Sequence, residues 1–371
     1  MTISLSDNQV RLLRTRAQGL ECRREGSSSV KQVVQKVCGL QAQDLSAAML
    51  AVRVRSIELT SASVESALWQ ERSVVRTWGQ RGTLHLLAAH DLGWLLPLLG
   101  PSRIATNRRR YIELGLDEDF SAAAIQAIRE ALASRGPLTR SEIAQHLSTH
   151  DIAAEGQALY HLISRAALDG ILCLGPHRGN EPACVLIDGW TDRGQPLTQD
   201  DSLATIARRY LSAYGPAGPA DLAAWSGLNA SKVRRAWNLI AGELTEVSID
   251  GLPAWMLKTQ IPWLDELPAH SPSVRLLPAY DTCLLGYASR HLIVTPEYAK
   301  RINAGGGAIH PVLLVGGRVQ GTWSIKRRKN HLEMSVQPFD SLPPDIYAGV
   351  ESEVADIGRF LGVNAVLAKT S

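Results

Sequence analysis

The chain is poor in cysteine, phenylalanine and methionine, with five, three and four of them among 371 residues. Cys22, Cys38, Cys173, Cys184 and Cys283 are widely spaced and contain no C-x-x-C pair. That pattern argues against a disulfide framework and against zinc, and it suits a reducing cytoplasm. Neither sign of charge dominates: the formal net charge is +3. Nucleic-acid binding is thus permitted, but only through a local basic groove. Long apolar runs are also missing. The longest, Leu92–Leu99, contains Gly93 and Pro97 and is too short to span a membrane. The N-terminus alternates polar and apolar residues, unlike a secretory signal. No P-loop or G-x-G-x-x-G signature occurs, and Gly305-Gly306-Gly307, with no Lys-Ser/Thr after it, reads as a loop.

What is present is a soluble globular composition, 45% hydrophobic and 20% charged, long enough for several domains. Its middle contains a repeat. Gly136-Pro137-Leu138-Thr139-Arg140-Ser141-Glu142-Ile143-Ala144 parallels Gly215-Pro216-Ala217-Gly218-Pro219-Ala220-Asp221-Leu222-Ala223. Each Gly-Pro ends an amphipathic helix, Ala122–Ser134 or Leu203–Tyr214, and a short helix starts at Thr139 or Pro219. A third helix follows in each unit: Gln157–Leu168 in one, Ser231–Leu239 with a serine cap in the other. Strand pairs come next, Ile171–Leu174 with Ala183–Ile187, and Leu244–Ile249 with Ala254–Leu257. Three helices and a hairpin make the winged helix-turn-helix plan, and two copies in tandem strengthen that reading.

The N-terminal region reads as a more divergent third copy. Its helices are Ser6–Gln18, Ser29–Val37, Leu45–Val54 and Ser61–Trp69, and its wing is Val74–Leu87. After the third unit, Gln260–Pro278 contains Pro262, Pro268, Pro272 and Pro278, which disfavour continuous helix or sheet. The remainder predicts strands at Val274–Leu277, Leu284–Leu285, Leu292–Val294, Val312–Val315, Gln320–Lys326 and His331–Val336. Gly316-Gly317 turns a hairpin and Glu351–Leu361 forms a closing helix. The fold class is therefore α+β: three tandem winged helix-turn-helix units followed by a small C-terminal β-barrel. The expected boundaries are 1–118, 119–198, 199–260 and 261–371. Winged helices commonly lay one helix in a DNA groove and the wing on the backbone. The clusters Arg108-Arg109-Arg110, Arg234-Arg235 and Lys326-Arg327-Arg328-Lys329 can line such a surface.

Several motifs in order carry a family resemblance. They are "GLQAQD", then "VVRTWGQRGTLHLL" with "HDLGWLLP" after it, then "LLPAYDTCLLGY" and "HPVLLVGGRVQGTW". Nearly the whole chain resembles the winged-helix DNA glycosylases of the AlkZ/YcaQ family. The resemblance implies excision of N7-alkylated purines from double-stranded DNA, including bases in interstrand crosslinks. Gln41-Ala42-Gln43 is similar to the Gln-apolar-Gln motif of the AlkZ branch, which is linked to self-resistance against azinomycin-type antibiotics. A nucleoid-associated monomer in the cytoplasm is implied, with no metal, cofactor or membrane partner.

Two neutral amides suit that chemistry. An N7-alkylated guanine is already cationic and leaves as a neutral base, so protonation of the leaving group is dispensable. What remains is to place a water beneath C1′ and to face the developing sugar cation with oriented dipoles. Residues i and i+2 of an extended stretch project to one side. We therefore expect Gln43 to position water and Gln41 to support the sugar or backbone. Asp44 reads either as a helix cap before Leu45 or as a catalytic base. Arg76, Arg81 and His85 in the first wing read either as phosphate contacts or as structural groups pairing with Asp91. Arg318 at the Gly316-Gly317 hairpin, near His310, and Lys326 with Arg327 are further DNA-binding candidates. Trp225 and Trp237 read as core residues or as base-stacking platforms. The rival to an enzyme is a non-enzymatic winged-helix DNA-binding protein, a regulator or lesion sensor.

Overall fold

Short polar side chains set the helix starts in the first part of the chain. The computed structural model describes residues 3–21, 29–267, 272–305 and 307–368, so Cys22, Pro268 and Gly306 lie outside the described residues. Ser6 and Ser29 open helices Asp7–Ala17 and Val30–Lys36 through reciprocal capping boxes with Gln9 and Gln32. The chain then reverses through Cys38 and Gly39, at φ 53° and 108°, into the two-residue strand Leu40–Gln41. Asp44 caps helix Leu45–Arg53 by accepting from the Ser46 and Ala47 amides. This is the cap reading of Asp44. Helix Ser61–Glu65 continues as a π-turn, Ser66–Gln70, before the hairpin Val74–Trp78 and Leu84–Ala88.

Gly93 and Pro97 do not break the next segment. Helix Leu92–Glu113 runs through both and through Pro101. Leu92, Trp94, Leu95, Leu96, Leu98 and Leu99 are all buried, and that burial outweighs the lost backbone donors. Gly93 is needed for close approach, since a Cβ there would stand 2.6 Å from the Gly194 carbonyl.

The repeat is visible in the backbone. Helices Glu118–Arg135, Arg140–Ser148 and Gly156–Leu168 precede the hairpin Leu172–Arg178 and Glu181–Leu186. Helices Gln199–Tyr214, Pro219–Ser226 and Ala230–Leu239 precede Leu244–Ile249 and Leu252–Leu257. Two residues after the first Gly-Pro glycine, Leu138 pairs with Cys184; at the same place after the second, Ala217 pairs with Trp255. The last helix is capped by Asn229 rather than by a serine, because the chain turns helical one residue earlier than expected.

Strands from different segments merge. Arg76 pairs with Leu174, so the first two hairpins share a six-stranded sheet whose edge strand is Leu40–Gln41. The third hairpin is joined by Ile3–Leu5, parallel to Leu244–Ile249.

In the C-terminal region, Val274–Leu277, Val312–Val315, Arg318–Arg327, Leu332–Pro338 and Ala365–Leu367 form a five-stranded sheet in that order. Its two edge strands do not pair with each other; helix Pro344–Leu361 packs across both. The expected barrel is thus a curled half-barrel that the helix closes. A bulge at Leu313/Leu314 assists the curl. Two expected strands are absent. Asp281 caps Thr282–Leu285 into a helical turn, and Leu292–Val294 lies in a turn. Apolar runs this short do not distinguish strand from helix. The closing helix starts at Pro344, earlier than the expected Glu351, with proline in its first position.

The first region and the half-barrel share a core. One apolar cluster joins Val33, Leu40, Ala48 and Leu68 to Leu276, Trp323, Ile357 and Phe360. Three ion pairs built on two buried arginines cross the same boundary. Arg53 binds Glu353 and Asp356 at 3.0 and 2.9 Å, and Arg55 binds Asp281 at 2.7 Å.

Candidate functional site: the Gln41–Gln43 segment

Leu40 and Ala42 are fully buried in the shared core. Gln41, the last residue of the two-residue strand Leu40–Gln41, faces away from them, and Gln43 lies in the bend that follows it. The strand is held on several sides. Gln41 pairs with His85, and the Ala42 amide donates to the Leu84 carbonyl at 2.7 Å. Just before it, the buried Gln80 donates Nε2 to the Cys38 carbonyl at 2.5 Å. A side chain at Gly39 would be strained, because φ is 108° and a Cβ would press on the Leu87 side chain at 2.7 Å.

The sequence candidates of the first hairpin all converge here, but with inward-turned side chains. Arg76 is 8% exposed; its Nε donates to the Ala42 carbonyl at 3.0 Å and its Nη2 to the Gln43 carbonyl at 3.2 Å. Arg81 donates Nη2 to Gln41 Oε1 at 2.8 Å and Nη1 to the Trp225 carbonyl at 2.7 Å. Burial lowers the affinity of both guanidiniums for their protons; Asp44 opposes this at Arg76, and Arg290 adds to it at Arg81. Gln41 is 8% exposed and Gln43 is open to solvent. Among the described residues neither the Gln41 Nε2 nor the Gln43 side chain has a hydrogen-bond partner.

His85 lies in register with Gln41 and Thr77 across three strands. Cross-strand neighbours share a face. Its Nδ1 is 2.9 Å from the Thr83 carbonyl and so carries the proton. Burial, with Arg81 beside it, pulls the imidazole from 6.5 down to about 3. The ring is therefore neutral at physiological pH. The unfolded chain takes up a proton near pH 6.5 that the folded ring refuses, so stability is full above that pH and falls on acidification. His85 alone is expected to withdraw about 2 kcal/mol between pH 7 and pH 5. Urea unfolding at both pH values should show this drop in the wild type and a smaller one in His85→Gln; equal drops would refute it.

The proposed pairing with Asp91 is not formed. Asp91 instead binds Arg209 at 2.5 Å and accepts from Trp94 Nε1. His85 hydrogen-bonds within its own hairpin, and Arg76 and Arg81 are committed to carbonyls and Gln41.

The remaining candidates lie elsewhere. The Gly316-Gly317 turn abuts helix Asp7–Ala17: a Cβ on Gly317 would stand 2.8 Å from Thr15 Oγ1. Arg318, Lys326 and Arg327 are exposed on the same long strand, and His310 is exposed before it. Trp225 and Trp237 are buried, 2% and 7% exposed, with Trp225 packed on Tyr210 and Tyr214. Several basic clusters are partly neutralised locally: Arg109 and Arg110 by Glu113, Arg235 by Asp200, Arg328 by Glu333. Sequence reasoning missed Gln80, Arg103 and Arg290. Arg103 lies across Gly82 at the hairpin tip, and Arg290 acts on Arg81 electrostatically. The turn "GQRG" could have flagged Gln80; nothing local flags the other two.

Among the described residues no three His, Cys, Asp or Glu side chains come together, and no helix is long and apolar enough to cross a membrane.

The chain belongs to the AlkZ-like DNA glycosylases: the family described as DNA glycosylase AlkZ-like matches residues 34–360. It is 30% identical over 373 residues to an interstrand DNA cross-link repair glycosylase of Streptomyces sahachiroi, with 96% of each chain covered. The solved structure of Streptomyces sahachiroi DNA glycosylase AlkZ shares the fold, with a TM-score of 0.85, 29% identity, and coverage of 99% of this chain and 100% of that one.

Proposed function

We propose that the protein is a monofunctional DNA glycosylase that hydrolyses the N-glycosidic bond of N7-alkylated, cationic purines. Its substrates include interstrand crosslinks of the azinomycin type, a reading favoured by the likeness to a cross-link repair glycosylase. One observation carries it: two amides one residue apart at the end of a pinned strand, Gln41 anchored from behind by Arg81 and Gln43 exposed in the bend that follows.

The chemistry follows from that placement. The cationic base needs no proton to depart. As C1′–N9 stretches, Gln43 aims a water at C1′, and Gln41 holds a sugar or phosphate oxygen. The Gln43 side-chain carbonyl that orients this water also faces the growing oxocarbenium. The segment Gly39–Leu45 contains no amine, so Schiff-base lyase chemistry lacks its nucleophile. Bulky adducts are released without full extrusion into a tight pocket. Helix-and-hairpin units two and three are read as winged helices, with residues 1–118 as a divergent third and 261–371 as the half-barrel region. They face DNA together as a monomer, with Arg318, Lys326 and Arg327 on phosphates; in the cell this places the protein on nucleoid DNA in the cytoplasm. Antibiotic self-resistance is the biological setting that fits.

The test is a duplex containing 7-methylguanine, and a second duplex with a purine crosslink, each incubated with protein and heated in mild alkali. Strand breaks at the lesion are expected from both. Intact strands with retained DNA binding would replace this reading with that of a non-enzymatic binder.

A further inference from the structure

Arg81 is held in an unfavourable backbone conformation. Its φ is 55°, in the left-handed region that side chains with a Cβ avoid. The turn around it is closed by hydrogen bonds from Gly82 to Gly79 and from Thr83 to Gln80. That conformation sends the guanidinium between two distant partners. Trp225 lies in the last turn of helix Pro219–Ser226, where carbonyls lack intrahelical donors and a cation is favoured. Gly227 ends that helix at φ 80°, and a Cβ there would stand 3.3 Å from Arg81 Cα. The hairpin tip and the helix end are thus in direct contact. The other partner is Gln41 Oε1.

A guanidinium only donates, so the Gln41 atom that faces it is the carbonyl oxygen, and the amide cannot be flipped. The Gln41 NH₂ is turned away from Arg81. We propose that Arg81 is a positioning residue for base excision: it commits Gln41 to donating toward DNA. Gln43 is then the one amide of the pair whose carbonyl can aim water. The inference rests on the glycosylase reading above and adds a division of labour, imposed from the far side by the unit that contains Trp225. The positive charge behind Oε1 also polarises the amide and strengthens its N–H donors.

The test compares Arg81→Met and Arg81→Lys with wild type in single-turnover release of 7-methylguanine, together with DNA affinity and its salt dependence. Arg81→Met should slow release about 100-fold with DNA affinity unchanged, and Arg81→Lys should restore part of the rate. On the Gln41→Ala background Arg81→Met should add nothing; on Gln43→Ala it should multiply the defect. A phosphate contact would behave otherwise. Affinity would fall, the salt slope would drop by about one, and the loss would be the same on every background, which overturns the proposal.

A contact test independent of activity is the side-chain ¹H–¹⁵N signal of Gln41, assigned by its loss in Gln41→Ala. It should shift in the folded Arg81→Lys variant, and an unmoved signal also overturns the proposal. Wild type that releases no base would instead sink the glycosylase reading, while this signal still reports on Arg81.

Discussion

The Gln41→Ala/Gln43→Ala protein is expected to release 7-methylguanine roughly 10³-fold more slowly than wild type, with DNA binding retained. Losing one preorganised donor at a reacting centre typically costs 10²–10³-fold. Here the substrate's own charge does part of the work, so the pair is assigned about what one such donor supplies in harder chemistry. The substitutions spare the fold for identifiable reasons. Gln43 is exposed and its side chain has no partner among the described residues. Gln41 contributes one bond, to Arg81, which keeps its bond to the Trp225 carbonyl. The main chain of the strand stays anchored by Arg76 and by its pairing with Leu84–Ala88. The two single-variant defects should multiply to that total, because sugar contact and water aiming are separate tasks. Single-turnover kinetics with excess protein separate release from binding. A double variant as fast as wild type would remove the amides from the mechanism.

Asp281→Ala should lower stability by about 3–5 kcal/mol, the largest effect expected outside the Gln41–Gln43 segment. The carboxylate is 1% exposed and does three things at once. Its oxygens take both Arg55 terminal nitrogens, at 2.8 and 2.7 Å, and one of them accepts from the Cys283 amide at 2.9 Å. Removing it strands a buried guanidinium and uncaps the Thr282–Leu285 turn. The remaining partners of Arg55, the Ala51 carbonyl, Gln18 and Thr282, are neutral and cannot replace the countercharge. Adding Arg55→Met should recover much of the loss, since the expense lies in leaving one charge unpaired. Urea unfolding midpoints of the single and double variants decide this. A loss below about 1 kcal/mol would mean that water reaches the pair.

The features legible in the sequence were those decided locally. Ser6, Ser29, Asp44 and Thr139 each cap a helix because the oxygen and the amides it serves lie within three residues. The Gly-Pro repeat needed only turn chemistry, whereas the period of two that would put Gln41 and Gln43 on one face stops at Gln41, where the strand ends in a bend. What failed depended on distance along the chain. Leu284 and Leu292 are apolar in any conformation; Asp281 caps the first segment into a turn, the Arg290 carbonyl closes the second, and the core that both enter comes from elsewhere in the chain. Alternation places Arg76 and His85 on definite faces but does not say what covers those faces. Arg81 was legible as a basic hairpin residue, whereas its partner Trp225 lies 144 positions away. The open edge of the half-barrel escaped detection for the same reason.

The pairing of Ile3 with Val247 bears on how the protein is born. A ribosome making about 5–20 residues per second needs about 10–50 s to travel between those two positions. Throughout that interval the leading strand has no mate, and it gains one only when the third hairpin emerges. Vectorial synthesis therefore has to keep the opening segment soluble on its own. The capping box at Ser6 helps by letting helix Asp7–Ala17 form before its eventual neighbours exist.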